Sequence, residues 1–221
     1  MLKEYTRRML FCILSLGLYG FGCFLGVKAG GVGTNAWNTL ALGLSETLHL
    51  TFGTGTFLIS ILIIVVDLFG RGKLGFGTVL NVILIPVFSD GFIALFSSLP
   101  DAPNLATGLL CTFAGQVVIA FATILYMTPA LGCGPRDTLM IIIGRKIPGV
   151  PIGAVKFCIE IAVVLVGGLM GAPIGIGTVL VLILQAGIFQ LVCRVVRYEP
   201  RNVEHEDVLD TCCRIFGKRS D

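Results

Sequence analysis

IGIGTVL at residues 174–180 rewrites LGFGTVL at residues 74–80, about a hundred residues earlier in the chain. Sliding the sequence against itself by that interval aligns more than one phrase. GTGTF at 53–57 faces GAVKF at 153–157, and with a one-residue gap NAWNTL at 35–40 faces GPRDTL at 134–139. Three matches in the same order, at nearly constant offset, exceed what shared Leu and Gly content produces. The chain is therefore a tandem duplication: residues 1–104 form one repeat, residues 105–197 the other, and 198–221 a polar tail.

Each repeat is built of membrane-length apolar segments. Hydrophobic residues make up 55% of the chain and charged residues 13%, a balance far from that of a soluble domain. Crossing ~30 Å of hydrocarbon takes about 20 apolar residues. Six stretches meet that need: residues 9–27, 53–69, 76–96, 105–128, 152–170 and 176–196. The expected fold is all-α, a polytopic helical bundle of two three-span repeats, each with one extra short helix. The first span follows Lys3, Arg7 and Arg8 but precedes no small-x-small cleavage site, so it reads as a mature helix and not a secretory signal. Five of the eight cysteines, Cys12, Cys23, Cys111, Cys158 and Cys193, fall in or beside spans as small hydrophobes, and Cys212 and Cys213 read as reduced thiols of the tail. No cofactor or metal spacing appears, and a net charge of +3 is too small to imply nucleic acid.

Lys and Arg beside the spans set the orientation, because cytoplasmic loops carry the excess. With the N-terminus inside, the inner loops hold Arg71 and Lys73, then Arg136, Arg145 and Lys146, then Arg194, Arg197 and Arg201. The outer loops hold Lys28 beside Glu46, then Asp101. Three crossings per repeat is an odd number, so the second repeat enters the membrane upside down, as in many secondary transporters. The short segments 36–48 and 135–144 decide this. If both crossed, the repeats would lie parallel and Arg71 would face outward; the charge bias favours partly inserted or surface-lying helices instead.

Glycines and then a polar pair open each short segment, GVGTNAWN in one repeat and GCGPRD in the other. Gly permits the turn, and Asn35 or Asp137 beside Pro135 can begin a helix whose free N–H groups aim into the space beyond. The same pattern serves as a plain turn between membrane helices. Gly75 and Gly77, or Gly175 and Gly177, suit a tight hairpin and close helix approach, while Thr78 or Thr178 can cap the next helix or bond a neighbour. A phosphate loop is excluded, since no strand precedes these glycines and no lysine follows them. Polar residues within spans are costly there and mark candidate sites. They are Asn81, Asp90, Gln116, Gln185, Gln190, and the pair Lys156 and Glu160, four apart on one helix face. A helix-to-helix hydrogen bond is the plainer role for each.

GCGPRDTLM and IGIGTVL, with their weaker copies in the first repeat, resemble the phrases of the bacterial YczE-like membrane proteins, a family related in character to the YitT-type proteins. The resemblance covers nearly everything from Gly17 to Gln190. It implies a multi-pass bacterial inner-membrane protein but no particular activity. Where the family commonly reads Gly-Pro-Trp-Asp, this chain has Asn35-Ala36-Trp37-Asn38, which keeps the tryptophan and loses the carboxylate, leaving Asp137 as the acid of the pair.

The leading expectation is a small-solute permease with Asn35, Trp37, Asn38, Arg136 and Asp137 near the ligand. Its partners would be the lipid bilayer and a solute or ion, a homodimer is compatible, and both termini would be cytoplasmic. The alternative is a non-transporting accessory or regulatory scaffold. Catalysis is not expected: His49 and His205 have no evident partner and no G-x-S-x-G motif is present.

Overall fold

The computed structural model describes residues 2–70, 75–132, 134–147, 149–150 and 152–196. Arg71, Lys73, Arg197, Arg201, the tail from 198 and the side chain of Arg145 lie outside the described residues, and with them much of the charge bias used above. Among the described residues the fold is all-α, without a strand. The helices are α1 (Leu2–Lys28), α2 (Ala36–Leu48), α3 (Phe52–Phe69), α4 (Phe76–Leu95), α5 (Leu105–Met127), α6 (Pro135–Lys146), α7 (Ile152–Leu169) and α8 (Ile176–Val196). A single 3-10 turn, Gly30–Val32, precedes α2. Side-chain caps start several of them. Asn35 accepts from the Asn38 N–H at 3.0 Å, Thr51 from that of Thr54 at 3.1 Å, and Asn104 from that of Thr107 at 2.9 Å. His49 closes α2 in the left-handed region, with φ of 54°.

Five helices are long and apolar enough to cross a membrane: Glu4–Lys28 within α1, then α3, α4, α5 and α8. The sixth expected span, α7, forms a helix of 18 residues but is not one of these five. Side chains are distributed inside out relative to a soluble protein. Leu14, Phe69 and Leu169 are exposed by 73%, 88% and 90%, while Asn38, Thr39, Thr56, Asp67, Ser89 and Glu160 are buried. Water would penalise so large an apolar surface, and lipid suits it.

Small residues set the helix seams. Gly22 lies against Gly115 O and Ile119 of α5, and Gly108 against Ala29 O and Val32. At the opposite end of the seam, Arg8 donates to Pro129 O at 2.9 Å through Nε. Residue numbers rise along α1 as they fall along α5, so the two pack antiparallel along a glycine seam. In contrast α1 and α4 run parallel: Gly17 meets Phe88, Gly20 meets Ser89, and the Phe24 and Phe96 rings lie 5.4 Å apart. The start of α3 is tied to the end of α4, where the Gly53 N–H donates to Asp90 Oδ1 at 2.6 Å, so that pair is antiparallel.

The packing pattern repeats when α1–α4 are exchanged with α5–α8. Helix α1 packs on α4 as α5 packs on α8, and α2 packs on α7 as α3 packs on α6. Helices from the two halves of the chain thus interlock instead of forming separate bodies. One pair breaks the match: α3 and α4 pack closely, whereas α7 and α8 barely touch.

The duplicated GxGT phrase has a contact to match. Gly33, with φ of 87°, faces Thr178 Oγ1 and lies so that an added Cβ would stand 2.8 Å from Gly175 N. Its counterpart Gly132, with φ of 129°, faces Gly75 and Thr78 in the same way. The Gly77 N–H donates to Leu131 O at 2.7 Å. Each phrase therefore packs against the glycine turn in the other half of the chain, which a hairpin role alone would not require. Thr78 caps as expected, its Oγ1 accepting from the Gly75 N–H at 3.1 Å. Thr178 does not, since its Oγ1 is buried without a hydrogen-bond partner.

At the rim, Lys28 Nζ lies 3.4 Å from Asp101 Oδ1, whose side chain is 65% exposed. Water screens such a pair. Asp101→Asn is expected to change stability by less than ~1 kcal/mol, read as an essentially unmoved thermal transition of the purified protein.

Candidate functional site

The two short helices begin close to one another. Asn35 caps α2, and Trp37 occupies its first turn. Helix α6 starts with Pro135 after Gly134 in an extended conformation, which places Arg136 and Asp137 in its first turn. The Arg136 guanidinium carbon lies 4.8 Å from the centre of the Trp37 ring, a cation–π contact. Trp37 and Arg136 stand at aligned positions of NAWNTL and GPRDTL, so these two positions, far apart in sequence, touch. Beside them Asp137 Oδ2 accepts from the Tyr126 hydroxyl at 3.4 Å.

A cavity of about 430 Å³ opens at this junction. Asn35, Trp37, Arg136 and Asp137 line it, joined by Asn81 of α4, Gln116 of α5, Lys156 and Glu160 of α7, and Gln185 of α8. Its apolar wall includes Ile85, Ile119, Met127, Met140 and Phe189. Asn81 lies in the first half of α4, Lys156 and Glu160 in the first half of α7, and Met127 at the end of α5, so the cavity lies toward the side of the molecule where α4 begins.

Glu160 is almost fully buried and accepts a hydrogen bond from the Gln185 amide. The Lys156–Glu160 ion pair suggested by the spacing does not form among the described residues, and the Glu160 partner is on α8 instead. Three expected residues stand away from the cavity. Asn38 is buried behind it, donating to Thr34 Oγ1 at 3.4 Å. Asp90 is occupied with the Gly53 N–H, and Gln190 is exposed.

Sequence reasoning passed over Tyr19 and Tyr126, both of which line the cavity. The available signal was a phenol inside an apolar span, since its hydroxyl must find a partner there. It also passed over Asp67, buried near the end of α3 with neither carboxylate oxygen hydrogen-bonded among the described residues. Among the described residues no group of three His, Cys, Asp or Glu is placed to hold a metal ion.

Residues 6–194 match the model of a family described as a family of unknown function, DUF6198. The chain is 32% identical over 186 residues to the uncharacterized membrane protein YczE of Bacillus subtilis, covering 83% of this chain and 84% of that one. It is 34% identical over 168 residues to an uncharacterized protein of Haemophilus influenzae, covering 76% and 75%. No solved structure matches. Lipid-compatible helices and a membrane-protein relative along most of its length agree on the setting, and the chain is a membrane protein belonging to the DUF6198 family, as the YczE-like phrases implied.

Proposed function

We propose that the protein is a small-solute permease of the bacterial cell membrane, built as two inverted repeats with its solute site between the two short helices. Helix directions support the topology. Because α3 runs against α4, and α4 runs with α1, α3 also runs against α1; a short α2 that turns back without crossing fits that relation. The corresponding helices α1 and α5 are antiparallel, as inversion requires. On this reading α7 is the sixth span and both termini are cytoplasmic.

The observation that carries the function is the polar cavity at the meeting point of α2 and α6, walled by both repeats. Charged and amide groups are expensive inside a membrane protein, and a scaffold gains nothing from gathering them around open space. A packed interior would have suited that alternative better.

Uptake into proteoliposomes, screened over labelled solutes with and without a proton gradient, tests the reading. Arg136→Gln and Asp137→Asn are each expected to lower the initial rate at least about tenfold, the loss that follows from one charge-assisted contact. Parent-like rates in both variants would remove the cavity from the transport path.

A further inference from the structure

We infer that the ligand of this cavity is a small zwitterion: one anionic group and one ammonium group, with an apolar portion between or beside them. The inference rests on the ligand-site reading just given and deepens it. Arg136 and Lys156 supply two positive charges to the lining, and Asp137 and Glu160 two negative ones. Their formal sum is zero, so a ligand carrying net charge would add an uncompensated formal charge in a setting where such an ion is costly.

The four charged groups also form no close ion pair with one another among the described residues. Arg136 rests on the Trp37 ring, Asp137 accepts from a phenol, and Glu160 accepts from an amide. Charges of both signs held apart around a cavity match a ligand whose own charges are separated. Planar Arg136 suits a carboxylate or phosphate, and the acids suit an ammonium group. The volume, at the small end of ligand pockets, fits a free amino acid or a lipid headgroup of the same chemistry.

The single tryptophan of the chain is Trp37, so its fluorescence reports on this cavity alone. Purified full-length protein is titrated with leucine and methionine as zwitterions, N-acetyl-leucine as the anion, leucine amide as the cation, and short-chain phosphatidylethanolamine below its micelle concentration. At least one zwitterion is expected to bind about tenfold or more tighter than either single-charge derivative, one lost charge-assisted contact being of that order. The free amino acid and lipid arms then identify the source of the headgroup chemistry.

Arg136→Gln should abolish the preference for leucine over leucine amide, and Asp137→Asn the preference for leucine over N-acetyl-leucine. These ratios, measured within one variant, are insensitive to partial loss of folded protein. Equal affinity for charged and zwitterionic probes, unchanged ratios in both variants, or no response to any probe would overturn the inference. Zwitterion binding without uptake would uphold it while overturning the permease reading, so the two fail separately.

Discussion

Alanine in place of Gly33 or Gly132 is expected to destabilise the protein by about 3 kcal/mol or more, the sum of backbone strain and overlap. Gly33 has φ of 87° and ψ of 168°, a region that residues with a side chain essentially do not occupy. Its added methyl would also stand 2.8 Å from a backbone nitrogen, that of Gly175, and against Thr178. Gly132, with φ of 129°, would place a methyl 2.7 Å from the Gly75 Cα. In both cases the obstacle includes backbone at the start of a helix from the other repeat, which cannot swing aside as a side-chain tip can. The thermal transition of the purified protein should fall by roughly 6–12 °C.

Two controls separate the causes. Gly31 has open space around it and no positive φ, so Gly31→Ala should stay within about 0.5 kcal/mol. Gly149 has open space but φ of 93°, so its alanine variant should show strain alone, about 1–2 kcal/mol. If Gly33→Ala were as mild as Gly31→Ala, the proposed clamp between repeats would not bear on stability.

This clamp marks the boundary of what the sequence makes legible. Local signals read well: the expected segments became helices with ends displaced by at most one residue, apart from an α1 that starts at Leu2 and an α6 that runs two residues on to Lys146. Asn35 and Pro135 begin the short helices as their chemistry requires. The recurring phrases could not say that each GxGT packs against the glycine turn in the other half of the chain, because that contact spans about a hundred residues.

Helix rotation was also hidden. A helix apolar on every side has no stripe to reveal which face turns inward, so Tyr19 and Tyr126 were not assigned to the cavity. Small residues mark one such face only in the structure: Gly22 lies where Gly115 and Ile119 of α5 pack closest to α1. The Lys156–Glu160 spacing misled for a related reason. It describes an isolated helix, while in the bundle Gln185 of a different helix reaches the carboxylate.

Cysteine placed at Ser60 or Ser89 is expected to react with a membrane-impermeant maleimide only from the side where α8 begins, and at least about tenfold more slowly than cysteine at cavity-lining Thr123 reacts from the opposite side; that difference corresponds to ~1.4 kcal/mol of opening. The expectation comes from applying the repeat offset to the cavity. Lys156, Glu160 and Phe189 line it, and their counterparts are Thr56, Ser60 and Ser89. All three counterparts are buried, and the Thr56 hydroxyl has no hydrogen-bond partner among the described residues. Buried hydroxyls left unpaired cost about 1–3 kcal/mol each, a penalty that hydration would lift.

On that side α3 and α4 pack closely, and the rings of Phe21, Phe24, Phe92 and Phe96 stack in contact, with centroids 5.3 to 6.5 Å apart. On the cavity side α7 and α8 barely touch. On the permease reading proposed above, the cavity side would be the open vestibule and the α3–α4 side the closed one, and transport would require the two halves of the chain to exchange those conformations. Phe92→Ala, which removes the ring contacting both Phe21 and Phe24, should loosen the closed side and raise the rate at Ser89→Cys several-fold while leaving Thr123→Cys unchanged. Labelling of both cysteines from one side, or a Ser89 site that stays inert in the Phe92→Ala background, would mean that the second vestibule never opens and that the asymmetry of the fold is permanent.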